Sequence, residues 1–176
     1  MRSALPLTLL LFIAATSLGY RSLRPQVKRS FPRADPQQVG EPLFLTPYIE
    51  SGDIEAGREM AKVDWSQLEG LNDAVESYSG LLTVDAPNNG NMFFWFFPAE
   101  ESPETAPVVI WLQGGPGGSS MFGALKLHGP ILTTIDENRN LTGVAKNPNS
   151  WGRKHNMLYI DNPVGAGESN IKREKF

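Results

Sequence analysis

The sequence predicts an α/β fold, and three features carry the prediction. First, two apolar runs rich in aromatic and β-branched residues, Ser77–Asp85 and Asn91–Ala99, flank Asn89-Gly90. Asn-Gly between such runs is a strong hairpin signal, because both residues tolerate positive φ. Second, Ala106–Gln113 and His155–Pro163 are apolar without alternation, as strands covered on both faces are. Third, Ser119–Gly129 between them reads as a helix. A hairpin followed by strands that alternate with helical stretches describes a sheet packed by helices.

The elements follow in chain order. Arg2, the apolar run Ala4–Ala15 and the small residues after it have the order of a secretory signal peptide over residues 1–19, with cleavage after Ser17 or Gly19. The run is shorter than the roughly 20 apolar residues of a membrane span. No stable membrane anchor is expected; a signal anchor held by Arg21, Arg24, Lys28 and Arg29 is the alternative. Residues 20–41, rich in Pro, Arg and Gln, form an extended leader or pro-segment with Lys28-Arg29 as a candidate processing pair. The ordered domain is expected over residues 42–176. Within it Ser51–Lys62 forms a short helix, with Asp53 and Glu55 in its first turn. Leu132–Ser150 reads as turn-rich surface, and it carries a glycosylation sequon at Asn140.

Composition excludes several functions. The 176 residues carry a formal net charge of −3, with no basic stripe and interleaved aromatics, so no nucleic-acid partner is expected. The chain has no cysteine. No metal set or cofactor fingerprint is found, and no cofactor is expected.

The strand Ala106–Gln113 stops in the loop Gly114-Gly115-Pro116-Gly117-Gly118, which offers bare backbone N–H groups. Three readings compete. A phosphate loop of the Walker type needs a lysine that is absent here. A dinucleotide fingerprint begins at Gly115-Pro116-Gly117, with Asp136 where a ribose-binding acid would sit. Ser120 replaces its third glycine, however, and Pro116 removes a donor. The third reading is an oxyanion hole, in which main-chain donors stabilise charge developing on an attacked carbonyl. A strand-to-helix turn with no ligand is the bland alternative.

The stretch Pro107–Gly123 resembles the W-L-x-G-G-P-G-x-S-S motif of the serine carboxypeptidases, an α/β-hydrolase family. Gln113 and Gly118 are similar to the vitellogenic-like branch. Further stretches match in order and spacing: Pro42–Ile49, Ser77–Val84, Phe93–Ala99, Leu127–Pro130 and Met157–Ser169. The resemblance implies the N-terminal part of an α/β-hydrolase fold, its opening hairpin and early sheet strands, without the remainder. It also implies a serine-type exopeptidase acting on peptide and protein C-termini. In this reading Gly115 supplies an oxyanion-hole N–H, Gln113 and Gly114 bind the substrate's terminal carboxylate, and Trp111 packs beneath them.

Two departures from the family stand out. Leu127 replaces an acid that supports the carboxylate-binding network, and Glu168 replaces an aromatic residue. The family's nucleophile lies in G-E-S-Y-A-G and is followed by its Asp and its His. Here Ser169 lacks the second glycine of G-x-S-x-G, and the two histidines, His128 and His155, both precede it. No triad residue is therefore expected on this chain, and the 176 residues alone are expected to be inactive. The alternative reading is a truncated secreted product that acts by binding or has no function.

Overall fold

A computed structural model describes residues 41–65, 75–138 and 141–169. The chain divides into two units, Met1–Gly40 and Glu41–Phe176, and the described residues all belong to the second. The expected signal peptide, the Lys28-Arg29 pair and Asn140 lie outside the described residues.

The unit opens with two short helices, α1 (Thr46–Ser51) and α2 (Ile54–Ala61). The expected single helix over Ser51–Lys62 is thus corrected. Gly52, in the left-handed region at φ 77°, ends α1, and its N–H bonds Ile49 O. Asp53 stands outside α2 as its cap, accepting from Ala56 N at 3.4 Å, with Glu55 in the first turn.

Among the described residues six strands follow: β1 (Tyr78–Asp85), β2 (Gly90–Phe97), β3 (Val108–Leu112), β4 (Ile131–Ile135), β5 (Leu141–Lys146) and β6 (Asn156–Ile160). β1 and β2 form the expected hairpin, from Tyr78 opposite Phe96 to Asp85 opposite Gly90, and Asn89 takes the positive φ of 49°. The main sheet has the order β1-β2-β6-β3. β6 runs antiparallel to β2 and parallel to β3, with Ile110 opposite Leu158.

The pleat sorts the two faces of this sheet. On one face Trp95, Phe97, Met157, Tyr159, Val109 and Trp111 pack with Trp65, Ala124 and Ile131 as the core. Trp95 stacks on Trp65 with centroids 5.6 Å apart, and the buried Trp65 N–H bonds Ser77 Oγ. On the other face α1 and α2 lie against β1 and, with β2 and β6, border an open space. Tyr48, Ile49, Ile54, Phe94, Phe96 and Leu158 line an apolar groove there.

The two apolar faces of β3 call for a covered sheet, but among the described residues it is an edge strand whose cover is not supplied, as the expected exposed edge requires. It pairs only with β6, and Val108, Ile110 and Leu112 are more than half exposed. Apolar residues on both faces specify that cover is favourable, not which segment supplies it.

The crossover from β3 to β6 holds two further differences. The helix expected over Ser119–Gly129 is one short turn that widens to π geometry at Gly123–Leu127. His128 N and Gly129 N both bond Gly123 O and close it. Leu132–Ser150, expected to be turn-rich surface, contains most of the β4–β5 hairpin. It pairs Leu132 with Ala145 and the β-branched Thr133 with Val144, and Ile131 is fully buried against the core. Its Asn, Asp and Gly content masks that alternation in the sequence.

Candidate functional site

The glycine loop leaves β3 at Leu112 and is held at its feet. Gln113 N donates to Ser120 Oγ at 3.0 Å, and that hydroxyl donates onward to Ile160 O. This ties both ends of the loop to the end of β6. Between the feet, Gly114, Gly115, Pro116 and Gly117 are exposed. Gly115, Pro116 and Gly117 form a turn closed within the loop, and among the described residues the N–H groups of Gly114 and Gly115 donate to no protein acceptor. These two donors are therefore open to a ligand.

Close approach is what requires glycine here. A Cβ on Gly118 would stand 2.5 Å from Gly114 O, and one on Gly115 would stand 3.0 Å from Gly118 N. Gly114 has open space at the same position. Gly117 sits in the left-handed region at φ 79°.

Gln113 is oriented from beneath. Trp111 Nε1 donates to Gln113 Oε1 at 3.1 Å, which leaves the two amide protons of Gln113 for another acceptor. Trp111 in turn lies against Gly123, where a Cβ would stand 2.6 Å from Nε1. Its ring meets His128 edge-on, with centroids 4.3 Å apart.

His128 is stacked on Trp151 at 4.2 Å, and its Nδ1 lies 3.1 Å from the Tyr159 hydroxyl. Its Nε2 is buried with no partner among the described residues. Burial lowers the His128 pKa from its ordinary 6.5 and raises that of Tyr159, so both are neutral at neutral pH.

A folded-state pKa below the unfolded one means that the unfolded chain takes up the proton first. His128 therefore contributes stability above about pH 6.5 and loses it as the pH falls. Tyr159, the titratable neighbour its ring contacts, stays neutral throughout that window. Thermal melts of the wild type and of His128→Phe between pH 7 and pH 5 check this. The acid-induced drop is expected to be smaller in the variant, and equal slopes would disprove it.

The second loop of the site follows β6, and at its head stands Asp161, which sequence reasoning did not single out. It is fully buried. Its carboxylate accepts from Ser119 Oγ at 2.9 Å, Ser120 N at 2.6 Å and Glu168 N at 2.8 Å. A charged residue closing an apolar strand was the available signal. The peptide bonds before Pro116 and Pro163, one in each loop, are cis.

Ser169 is buried as well. Its hydroxyl donates to Asp161 O at 2.7 Å and accepts from Phe93 N at 2.8 Å. Among the described residues neither imidazole ring bonds a serine side chain: Nδ1 of His128 contacts the Tyr159 hydroxyl and Nδ1 of His155 contacts Trp151 O. Leu127 is exposed at the end of the π turn, and Glu168 is exposed with only its N–H engaged at Asp161. No group of His, Cys, Asp and Glu able to hold a metal occurs among the described residues.

The serine carboxypeptidase family profile matches residues 69–175. The chain belongs to the serine carboxypeptidase family.

Its relatives in the family include the venom serine carboxypeptidase of Apis mellifera, 44% identical over 94% of this chain and 33% of that protein. The probable serine carboxypeptidase CPVL of Homo sapiens is 51% identical over 85% of the chain and 29% of its own length. The vitellogenic carboxypeptidase of Aedes aegypti is 48% identical over 76% of the chain and 26% of its own length. The chain thus spans a third or less of these serine carboxypeptidases. Among solved structures, the prohormone-processing carboxypeptidase Kex1(Δ)p of Saccharomyces cerevisiae matches with a TM-score of 0.55 and 33% identity. That match covers 64% of this chain and 26% of the other. The fold is accordingly an α/β-hydrolase fold in part, with the mixed sheet described above.

Proposed function

We propose that this segment serves a serine-type carboxypeptidase, which hydrolyses C-terminal residues from peptides and proteins, as its oxyanion donor and carboxylate-binding strip. The observation that carries the reading is the pair of free N–H groups at Gly114 and Gly115 beside the Gln113 amide, whose oxygen is held by Trp111 and whose NH₂ is left over. When a nucleophile attacks the scissile carbonyl, negative charge develops on its oxygen. The Gly115 N–H stabilises that charge without rearrangement, because the loop is anchored at both feet. The Gln113 amide and Gly114 N–H donate to the substrate's terminal carboxylate, orienting the last peptide bond over Gly115 without adding charge. No cofactor takes part in this reading.

Attack itself is assigned to residues outside this segment. Ser169 has both roles of its hydroxyl committed to main chain, and both histidines are engaged elsewhere. The 176 residues alone are therefore expected to show no turnover.

Gln113→Ala in the active protein tests the site. It is expected to impair free-acid peptides about tenfold or more in kcat/KM, the effect of losing one hydrogen bond of about 1.5–3 kcal/mol to a charged group. Amidated or esterified peptides present no carboxylate and should be nearly unaffected. Equal loss on both would remove the recognition role.

The reading extends to the secretory pathway, with residues 1–19 as a cleaved signal, residues 20–41 as the leader, Asn140 as a glycan site and a secreted or lysosomal destination. The similarity to a venom carboxypeptidase supports it. One intact-mass measurement of the native protein reads signal cleavage, glycan and chain length together.

A further inference from the structure

We infer that Asp161 is a positioning residue that holds the oxyanion loop in its working geometry; this rests on the role proposed above for Gly115. The Gly114 and Gly115 donors have no protein acceptors, and apart from the turn at Gly115–Gly117 the loop is held to the rest of the fold through its feet. At the far foot, two successive residues converge on one carboxylate, Ser119 through its hydroxyl and Ser120 through its N–H. The third donor is Glu168 N, from the loop after β6.

Asp161 therefore clasps two loops that are distant in sequence but adjacent at the ends of the parallel strands β3 and β6. The clasp leaves no room for adjustment. Gly167, at φ 52°, passes so close that a Cβ there would collide with Asp161 Oδ2 and stand 2.8 Å from Ser119 Cβ.

The carboxylate has no ion-pair partner among the described residues, so its three donors compensate its burial. Asp161 also fixes its own backbone, because its N–H bonds Phe93 O and its carbonyl accepts from Ser169. Its side chain cannot swing away without breaking the whole set. Asparagine would keep the shape but place an NH₂ against donors, so whichever way the amide turns, one donor is lost.

The test uses Asp161→Asn and the milder Ser119→Ala, with two readouts. In the active protein, Asp161→Asn is expected to lower kcat about 10²-fold, alike on free-acid and esterified peptides, with KM within about twofold. A peptide aldehyde, which forms a tetrahedral adduct, should weaken by a similar factor, whereas a product peptide should bind unchanged. Ser119→Ala should show the same pattern more weakly. A loss confined to KM, or unchanged kcat in both variants, would overturn the inference.

The second readout needs no turnover: ¹⁵N relaxation of Gly115, Gly117 and Gly118 in the 176-residue chain. Ordered amides in the wild type that loosen in both variants, with Met157 and Tyr159 unchanged, support the clasp. Amides already mobile in the wild type, or ordered in all three proteins, overturn it. If the relaxation result holds but Gly115→Ala leaves turnover intact, the oxyanion reading fails and the clasp survives it.

Discussion

Gly115→Ala is expected to lower kcat by about 10²–10³ on every substrate, free-acid and blocked alike, because all of them share the oxyanion donor. The structure supplies the reason: the new Cβ would stand 3.0 Å from Gly118 N, so the loop must open at the point where its donors converge. Gly114→Ala is the matched control. Its Cβ meets nothing within 4 Å, so the loop keeps its shape and turnover of blocked substrates should change little. Steady-state kinetics on an ester and a free-acid peptide separate the outcomes. Equal behaviour of the two alanine variants would show that the N–H of Gly115 has no special position.

The second large effect is on stability. Phe97→Ala is expected to destabilise the folded unit by about 3–5 kcal/mol, the range for truncating a fully buried phenylalanine. Phe97 has no exposure, and its ring lies 5.0 Å from Trp95 and 5.9 Å from Tyr159, edge-on to the latter. The void would open at the centre of the core between β2 and β6, where rigid rings cannot collapse into it. Val84→Ala, on the same hairpin but more than half exposed, should cost less than about 0.5 kcal/mol. Urea titrations of the two variants check both values, and a loss below 1 kcal/mol for Phe97→Ala would contradict the core assignment.

Much of the candidate site is legible in one stretch of sequence because its chemistry is carried by main chain. Gly114–Gly118 follows an apolar strand, and glycine after a strand specifies close backbone approach wherever the rest of the fold lies. What the stretch cannot show is how the loop is anchored. Ser120 is an ordinary serine in sequence, yet its hydroxyl joins Gln113 to Ile160, and Ser119 and Ser120 both lean on a carboxylate more than 40 residues away. The orientation of the Gln113 amide likewise depends on Trp111, two residues earlier on the same strand.

The sequence by itself determined the elements whose cause is local. Asn89, at positive φ before Gly90, sets the β1–β2 hairpin, the apolar runs make β3 and β6, and the glycine loop ends β3. The family, too, is readable from ordered motifs. Tertiary structure alone decided the arrangements that depend on partners remote in the chain. β6 enters between β2 and β3, which chain order does not reveal, and this places Asp161 beside Ser119 and Ser120. The β4–β5 hairpin owes its place to Ile131 packing in the core, against a composition that reads as turns. Local propensity acts through a residue's own backbone and near neighbours. Burial and hydrogen bonding of side chains are settled only when distant strands meet, and the clasp at Asp161 forms only then.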